Sequence, residues 1–145
     1  MTKKQIQMMV LLQNTILAFV INSAATILGG GFTTPGMYLV GMFMAFSINY
    51  VAAIIIPVDP IGKAVAGAIG LKDGTLLHKL VRVFVVNAIF VTIISFTIAL
   101  IMNGPVPNVF AIWWSTYPAL HLVGYVTSVL IEAGCADLAC TLVNE

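Results

Sequence analysis

Pro57-Val58-Asp59-Pro60-Ile61-Gly62-Lys63, running on through Lys72-Asp73-Gly74-Thr75 to His78-Lys79-Leu80-Val81-Arg82, is the stretch whose reading decides the fold. It divides four long apolar runs into two pairs. Outside it, charged side chains occur only near the two ends of the chain, at Lys3, Lys4, Glu132, Asp137 and Glu145. With Lys63, Lys72, Lys79, Arg82, Asp59 and Asp73, these make up all 6 Lys+Arg and all 5 Asp+Glu. If each apolar run crosses a bilayer once, every charge falls on the same side. Short loops rich in Lys and Arg stay cytoplasmic, so both termini and the central segment are expected there, with both hairpin turns on the far side.

Composition excludes the soluble alternatives. Only 8% of the 145 residues are charged and 61% are hydrophobic. A soluble domain of this length uses about 25% charged residues to cover its surface. The net charge of +1 supplies no basic footprint, so no nucleic-acid partner is expected. Cys135 and Cys140 are too few for a disulfide framework, and their spacing is neither the redox nor the zinc pattern, so no metal site is assigned.

On the N-terminal side the first run is Met8 to Leu28, long enough at about 1.5 Å per residue to span the hydrocarbon. A cleaved signal peptide competes for it, because Lys3 and Lys4 precede it and Ser23-Ala24-Ala25 is a small-residue stretch. The run is longer than a typical signal core, and its removal would spoil the charge topology. Gly29-Gly30-Gly31 and Thr33-Thr34-Pro35-Gly36 form an uncharged turn, and Met37 to Pro57 is the second run. Within the dividing stretch, Asp59-Pro60 reads as a helix start with Asp59 as N-cap. The helix from Ile61 to about Leu71 is too short to span. Its face of Ile61, Val65, Ala68 and Ile69 suits a position flat on the membrane surface. Thr75 is a second candidate N-cap.

Beyond it, His78 is expected at headgroup level, and Lys79 and Arg82 are expected to snorkel there. The third run is Val83 to Met102. Asn103-Gly104-Pro105-Val106-Pro107-Asn108 is the second turn, and Val109 to Ile131 is the fourth run, closed by Glu132 and followed by a short tail. Trp113 and Trp114 suit an interfacial aromatic belt.

A shift of 73 positions lays Asn14 on Asn87, Ile21 on Ile94, Gly31 on Gly104 and Asp59 on Glu132. A shift of 72 lays Pro35 on Pro107 and Asn49 on His121. The coincident polar and breaker positions point to duplication, with residues 1–73 and 74–145 as two-helix repeats in parallel orientation. The expected fold is therefore an all-α integral membrane protein of four transmembrane helices, about 8–28, 37–57, 83–102 and 109–131, arranged as two tandem hairpins. A short interfacial helix lies between them.

From Asn14 to Pro57, and again from Asn87 to Glu132, the pattern is an apolar helix with small polar residues, a glycine-containing turn, and a second helix with a mid-membrane polar position. This resembles the uncharacterised bacterial family of short two-helix membrane domains often found in tandem. The resemblance implies a bacterial inner membrane and no particular activity. Pro57 matches that family's proline at the second helix exit, whereas Leu130 stands at the corresponding place in the second half.

Within the apolar runs there is no Asp, Glu, Lys or Arg, so a proton-coupled exporter relying on a buried carboxylate is not indicated. The polar residues at depth are Asn14, Asn22, Asn49, Asn87 and His121, with several Ser and Thr. Asn49 and His121 sit near the middle of their helices. An interhelical hydrogen bond between them, or across a subunit interface, is the structural expectation, and a site for an ion or polar solute is the functional one. One buried histidine is half of a bis-histidine haem site, so no cofactor is assigned. Gly41, Ala45, Asn49 and Ala53 form a small-residue stripe, while Trp113, Tyr117, His121 and Tyr125 form a bulky one that could fill its groove. Tyr117-Pro118 is expected to kink the fourth helix. Asn22, Ser23 and Thr26 suit helix packing. Asp59 and Glu132, one at each repeat exit, are either an acidic pair on the cytoplasmic side or helix caps and solvated ends. No phosphate loop or nucleophile triad is present, and an enzyme is not expected.

Two function classes lead. One is an oligomeric transporter or channel-like protein for a small solute or ion, self-associated with a dimer favoured. The other is a non-transporting structural or accessory subunit, holin-like or the partner of a larger complex. The bilayer is the expected partner of either.

Overall fold

A computed structural model describes residues 1–29 and 34–143. The described chain is helical throughout: α1 (Lys3–Leu28), α2 (Pro35–Ile55), α3 (Val58–Ala68), α4 (Leu76–Asn103) and α5 (Val109–Leu142). All but α3 are long and apolar enough to cross a membrane. Gly30, Gly31 and Thr33 of the first turn lie outside the described residues, as does Glu145.

Local chemistry sets the helix starts. Thr2 and Gln5 form a capping box, each side chain bonded to the other's backbone N–H, so α1 begins at Lys3. That is five residues before the first apolar run. Thr34 accepts from the backbone N–H of Met37 and Pro35 opens α2, while Thr75 accepts from that of His78 to open α4 as expected. Two expectations fail here. Pro57, not Asp59, is the N-cap of α3, and it makes no side-chain cap bond. Asp59 lies within the first turn and is drawn to basic partners instead. The chain also stays helical from Glu132 to Leu142, where a short tail was expected. Residues 133–142 contain no proline and a single glycine, Gly134, among three alanines and two leucines that favour a helix. Gly104, with φ of +71°, ends α4 at the second turn.

The four long helices close into a ring. α1 lies against α2 and α5, and α4 lies against α5, α2 and α3. Ala18, Ala45 and Ala52 pack with Phe90 and Ile94, and Ile21, Val91 and Leu120 form a second buried cluster. Around the outside Phe43, Ile54, Leu122 and Leu130 are exposed. Large apolar side chains thus face outward as well as inward, which suits a protein whose solvent is hydrocarbon. α3 docks on α4 through Gly62, where an added Cβ would stand 2.9 Å from the Arg82 carbonyl oxygen and from Val86. Its Ile61, Val65 and Ile69 remain exposed. Gln5 Nε2 donates to the Val143 carbonyl at 3.3 Å, which brings the two ends of the chain together at the end of the bundle where α3 lies.

Candidate functional site: a vestibule between α1 and α4

Each hairpin carries its own polar pair. In the first, Asn49 Nδ2 donates to Asn14 Oδ1 at 2.7 Å. In the second, Asn87 Nδ2 is shared between His121 Nδ1 at 3.1 Å and the His121 carbonyl oxygen at 3.0 Å. The expected bond between Asn49 and His121 is therefore absent. The reason is the ring order: α2 packs on α1 and α4, α5 packs on α4 and α1, and each mid-helix polar group meets its own hairpin partner. The expected fit of the bulky stripe into the small one fails for the same reason. Gly41 of α2 lies under Asn22 of α1, and Ala45 packs with Ala18, Phe90 and Ile94. The bulky side chains of α5 reach α4: Trp113 Nε1 donates to Ser95 Oγ at 2.8 Å, Thr92 Oγ1 to Tyr117 Oη at 3.0 Å, and Tyr125 Oη to the Leu80 carbonyl at 3.4 Å. Trp113 is thus buried inside the bundle, while Trp114 is exposed as a belt residue would be. The helix runs through Pro118.

Asn22 donates to the Tyr38 carbonyl at 3.1 Å, beside a 2.7 Å contact between the Ser23 and Tyr38 hydroxyls.

A cavity of about 1010 Å³ opens between α1 and α4 at the end of the bundle that holds α3 and the chain termini. Asn14 and Asn87, together with Gln13 and Ser128, supply polar lining, and Leu17 and Phe90 are the innermost apolar residues on the two facing helices. From Lys79 to Phe90 along α4 is about 16 Å at the α-helical rise. Beyond Leu17 and Phe90 the buried clusters of Ile21, Ile94, Val91 and Leu120 close the bundle. Of the residues singled out from sequence, Asn14 and Asn87 line the cavity, Asp59 and Glu132 stand at its rim, and Asn49, His121 and Asn22 lie outside the lining.

At the rim the two exit carboxylates are joined through one guanidinium. Arg82 Nη1 meets Asp59 Oδ1 at 2.5 Å and Arg82 Nη2 meets Glu132 Oε1. Lys63 Nζ lies 2.8 Å from Asp59 Oδ2 and Lys79 Nζ lies 3.2 Å from Glu132 Oε2. The network ties α3, α4 and α5 together. Arg82, expected to snorkel, is instead mostly buried between carboxylates. Partial burial alone would raise the Asp59 carboxyl, but hydrogen bonds and charge attraction from Lys63 and Arg82 outweigh it and hold the group below its ordinary 3.8. His78, expected at headgroup level, is buried, with Nδ1 3.5 Å from Asp73 Oδ1.

The two polar pairs differ in completeness. Asn14 and Asn87 are each 3% exposed and Asn49 is 0%. Yet Asn14 Nδ2, Asn49 Oδ1 and His121 Nε2 are buried without a hydrogen-bond partner. Among the described residues no cluster of His, Cys, Asp and Glu could hold a metal ion. Sequence reasoning missed Arg82 as the bridge and Gln13 and Ser128 as lining. The signal for Arg82 was present in its three-residue spacing from Lys79, which puts both on one helical face.

No family model, no curated protein and no solved structure matches this chain, so the likeness to tandem two-helix membrane domains rests on the residues quoted for it.

Proposed function

We propose that this chain is a small multi-pass transporter or channel-like protein of the bacterial inner membrane, in which the vestibule between α1 and α4 admits a small solute or ion from the cytoplasmic side. The cavity carries this reading: in a bundle whose exterior is apolar, a pocket of this size with polar groups at depth and ionic groups at its rim is the expected form of a binding site. Its orientation follows from charge. The rim holds Lys63, Lys79 and Arg82, and the positive-inside rule puts that end, with both termini, in the cytoplasm. The equivalent placing of Asn14–Asn49 and Asn87–His121 in the two hairpins, at separations of 35 and 34 residues, supports descent from a duplicated two-helix unit. A dimer is the simplest assembly for so small a bundle.

One observation favours the accessory reading. The vestibule ends at Leu17 and Phe90, so a single chain encloses no continuous path. Native mass spectrometry of protein extracted with its lipids separates the two. A defined oligomer retaining a small molecule, lost when Val10→Trp fills the vestibule, is the expected result. An empty monomer would reject transport in favour of a subunit awaiting its partner.

A further inference from the structure

We propose that the deep end of the vestibule, at Asn14, binds a small uncharged solute carrying both a hydrogen-bond acceptor and a donor, a primary amide or urea-type group, in preference to an ion. This deepens the transport reading and rests on it only for the direction of entry. Asn14 is 3% exposed, lines the cavity, and uses its carboxamide oxygen to accept from Asn49, which leaves its Nδ2 buried without an acceptor. The equivalent Asn87 on the opposite wall spends its Nδ2 on His121, and the unmet His121 Nε2 lies outside the lining, so the unmet donor on a cavity-lining amide is that of Asn14. An unmet buried donor costs about 1–3 kcal/mol, which a bound acceptor would recover.

The chemistry of the pair selects for a neutral partner. Rotating both carboxamides of Asn14 and Asn49 by half a turn keeps their mutual bond and exchanges which of the two offers a donor. A solute with both functions fits either arrangement, whereas a cation needs oxygen only and an anion N–H only. No charged side chain lies at this depth. The ionic groups at the rim, Asp59, Arg82 and Glu132 foremost, are already paired with one another. An ion would shed its hydration between Leu17, Val86 and Phe90 without a counter-charge, while an amide would lose only a few water hydrogen bonds. The apolar walls beside Asn14 suit a solute with a short alkyl portion.

Acetamide is the probe. The full chain is placed in nanodiscs for saturation-transfer NMR with acetamide, and in liposomes for stopped-flow light scattering with acetamide, water and potassium chloride. Acetamide is expected to receive saturation from the protein and to cross protein-containing vesicles faster than bare ones. Asn14→Leu is expected to weaken binding by about two- to tenfold, the worth of one neutral hydrogen bond. Val10→Trp, which leaves both carboxamides in place, is expected to abolish it. Acetamide binding without flux would uphold this inference and reject the transport reading. Potassium or chloride flux without acetamide binding, or water permeation alone, would overturn this inference and leave transport standing. No binding and no flux would overturn both, and acetamide binding unchanged in both variants would overturn the assignment of the site to Asn14.

Discussion

The two hairpins use the same positions for different ends. In α4–α5 the polar groups are knitted together: Asn87 bonds twice to His121, Thr92 to Tyr117 and Ser95 to Trp113, with Phe84 set edge-on against both His121 and Tyr125. In α1–α2 the corresponding pair has one bond, and it leaves a donor and an acceptor spare. The walls of the vestibule differ in the same sense. Lys79 and Arg82 on α4 correspond, 73 positions earlier, to Ile6 and Met9 on α1, and all four line the cavity. One hairpin is the more fully bonded frame and carries Lys79, Arg82 and Glu132 of the rim, and the other presents Ile6 and Met9 at the matching height with under-used amides deeper in. Two hairpins with matching polar positions, satisfied to different degrees, frame one asymmetric site.

The largest effect is expected from breaking the frame at its rim. Arg82→Leu leaves Asp59 with Lys63 alone and Glu132 with Lys79 alone, and it deprives Glu132, itself only 19% exposed, of its closer partner. Removing one member of a fully buried pair costs about 3–5 kcal/mol, and because both carboxylates keep a lysine and Asp59 is 45% exposed, the loss here is expected at or below the lower figure. Thermal unfolding in a fixed lipid mixture checks this. Arg82→Lys should recover only part of the loss, because an ammonium cannot fork between two carboxylates.

Gly62→Ala is the next in size. The new Cβ would stand 2.9 Å from a backbone oxygen of α4, which cannot step aside as a side chain can, so α3 must lift. Overpacking of this kind costs about 1–3 kcal/mol, and faster proteolysis between α2 and α4 is the expected readout. Gly41→Ala, whose nearest neighbour is the Asn22 side chain, should cost less because that amide can rotate.

A direct test of the contrast between the hairpins is to remove one amide from each. Asn87→Leu deletes two hydrogen bonds and leaves His121 without its donor, whereas Asn49→Leu deletes one bond and also removes an unmet acceptor. At about 0.6 kcal/mol for an average interhelical bond in a membrane, Asn87→Leu should be the more damaging by about that amount. Equal losses in unfolding free energy would erase the distinction between frame and wall.

How much of this was legible beforehand follows from range. The spanning helices and the grouping of charges depend on local hydropathy, and Thr75 as a cap depends on one side chain and one turn. Asn14, Asn87, Asp59 and Glu132 were all visible as polar residues in an apolar sequence. Their partners were not. Pairing Asn49 with Asn14 rather than His121 depends on α2 and α5 not being neighbours, and ring order is a property of tertiary packing that no periodicity encodes. Arg82 was misread because snorkelling and pairing leave the same mark in sequence: a basic residue at the edge of an apolar run. The helix beyond Glu132 does not announce itself because Glu132 and Asp137 end the charge-free run, which marks the end of a membrane crossing and not the end of a helix.

The smallest expected effect is that of pH on the rim. Asp59 has a carboxyl held below 3.8, so its contribution to stability is fully present above that value and is lost only as pH falls through the still lower folded value. Lowering pH from 7 to 5 should therefore leave the Asp59–Arg82 tie intact, and unfolding temperatures at the two pH values should agree once any histidine contribution is removed with a His78→Gln, His121→Gln background. Asp59→Asn makes the comparison sharper. It keeps the shape of the side chain but removes its charge at every pH, so it should mimic at pH 7 what acid does to the parent only below pH 4. A parent that loosens between pH 7 and 5 in the histidine-free background would mean that the Asp59 carboxyl is not held below its ordinary range, and that Lys63 and Arg82 do not outweigh its burial.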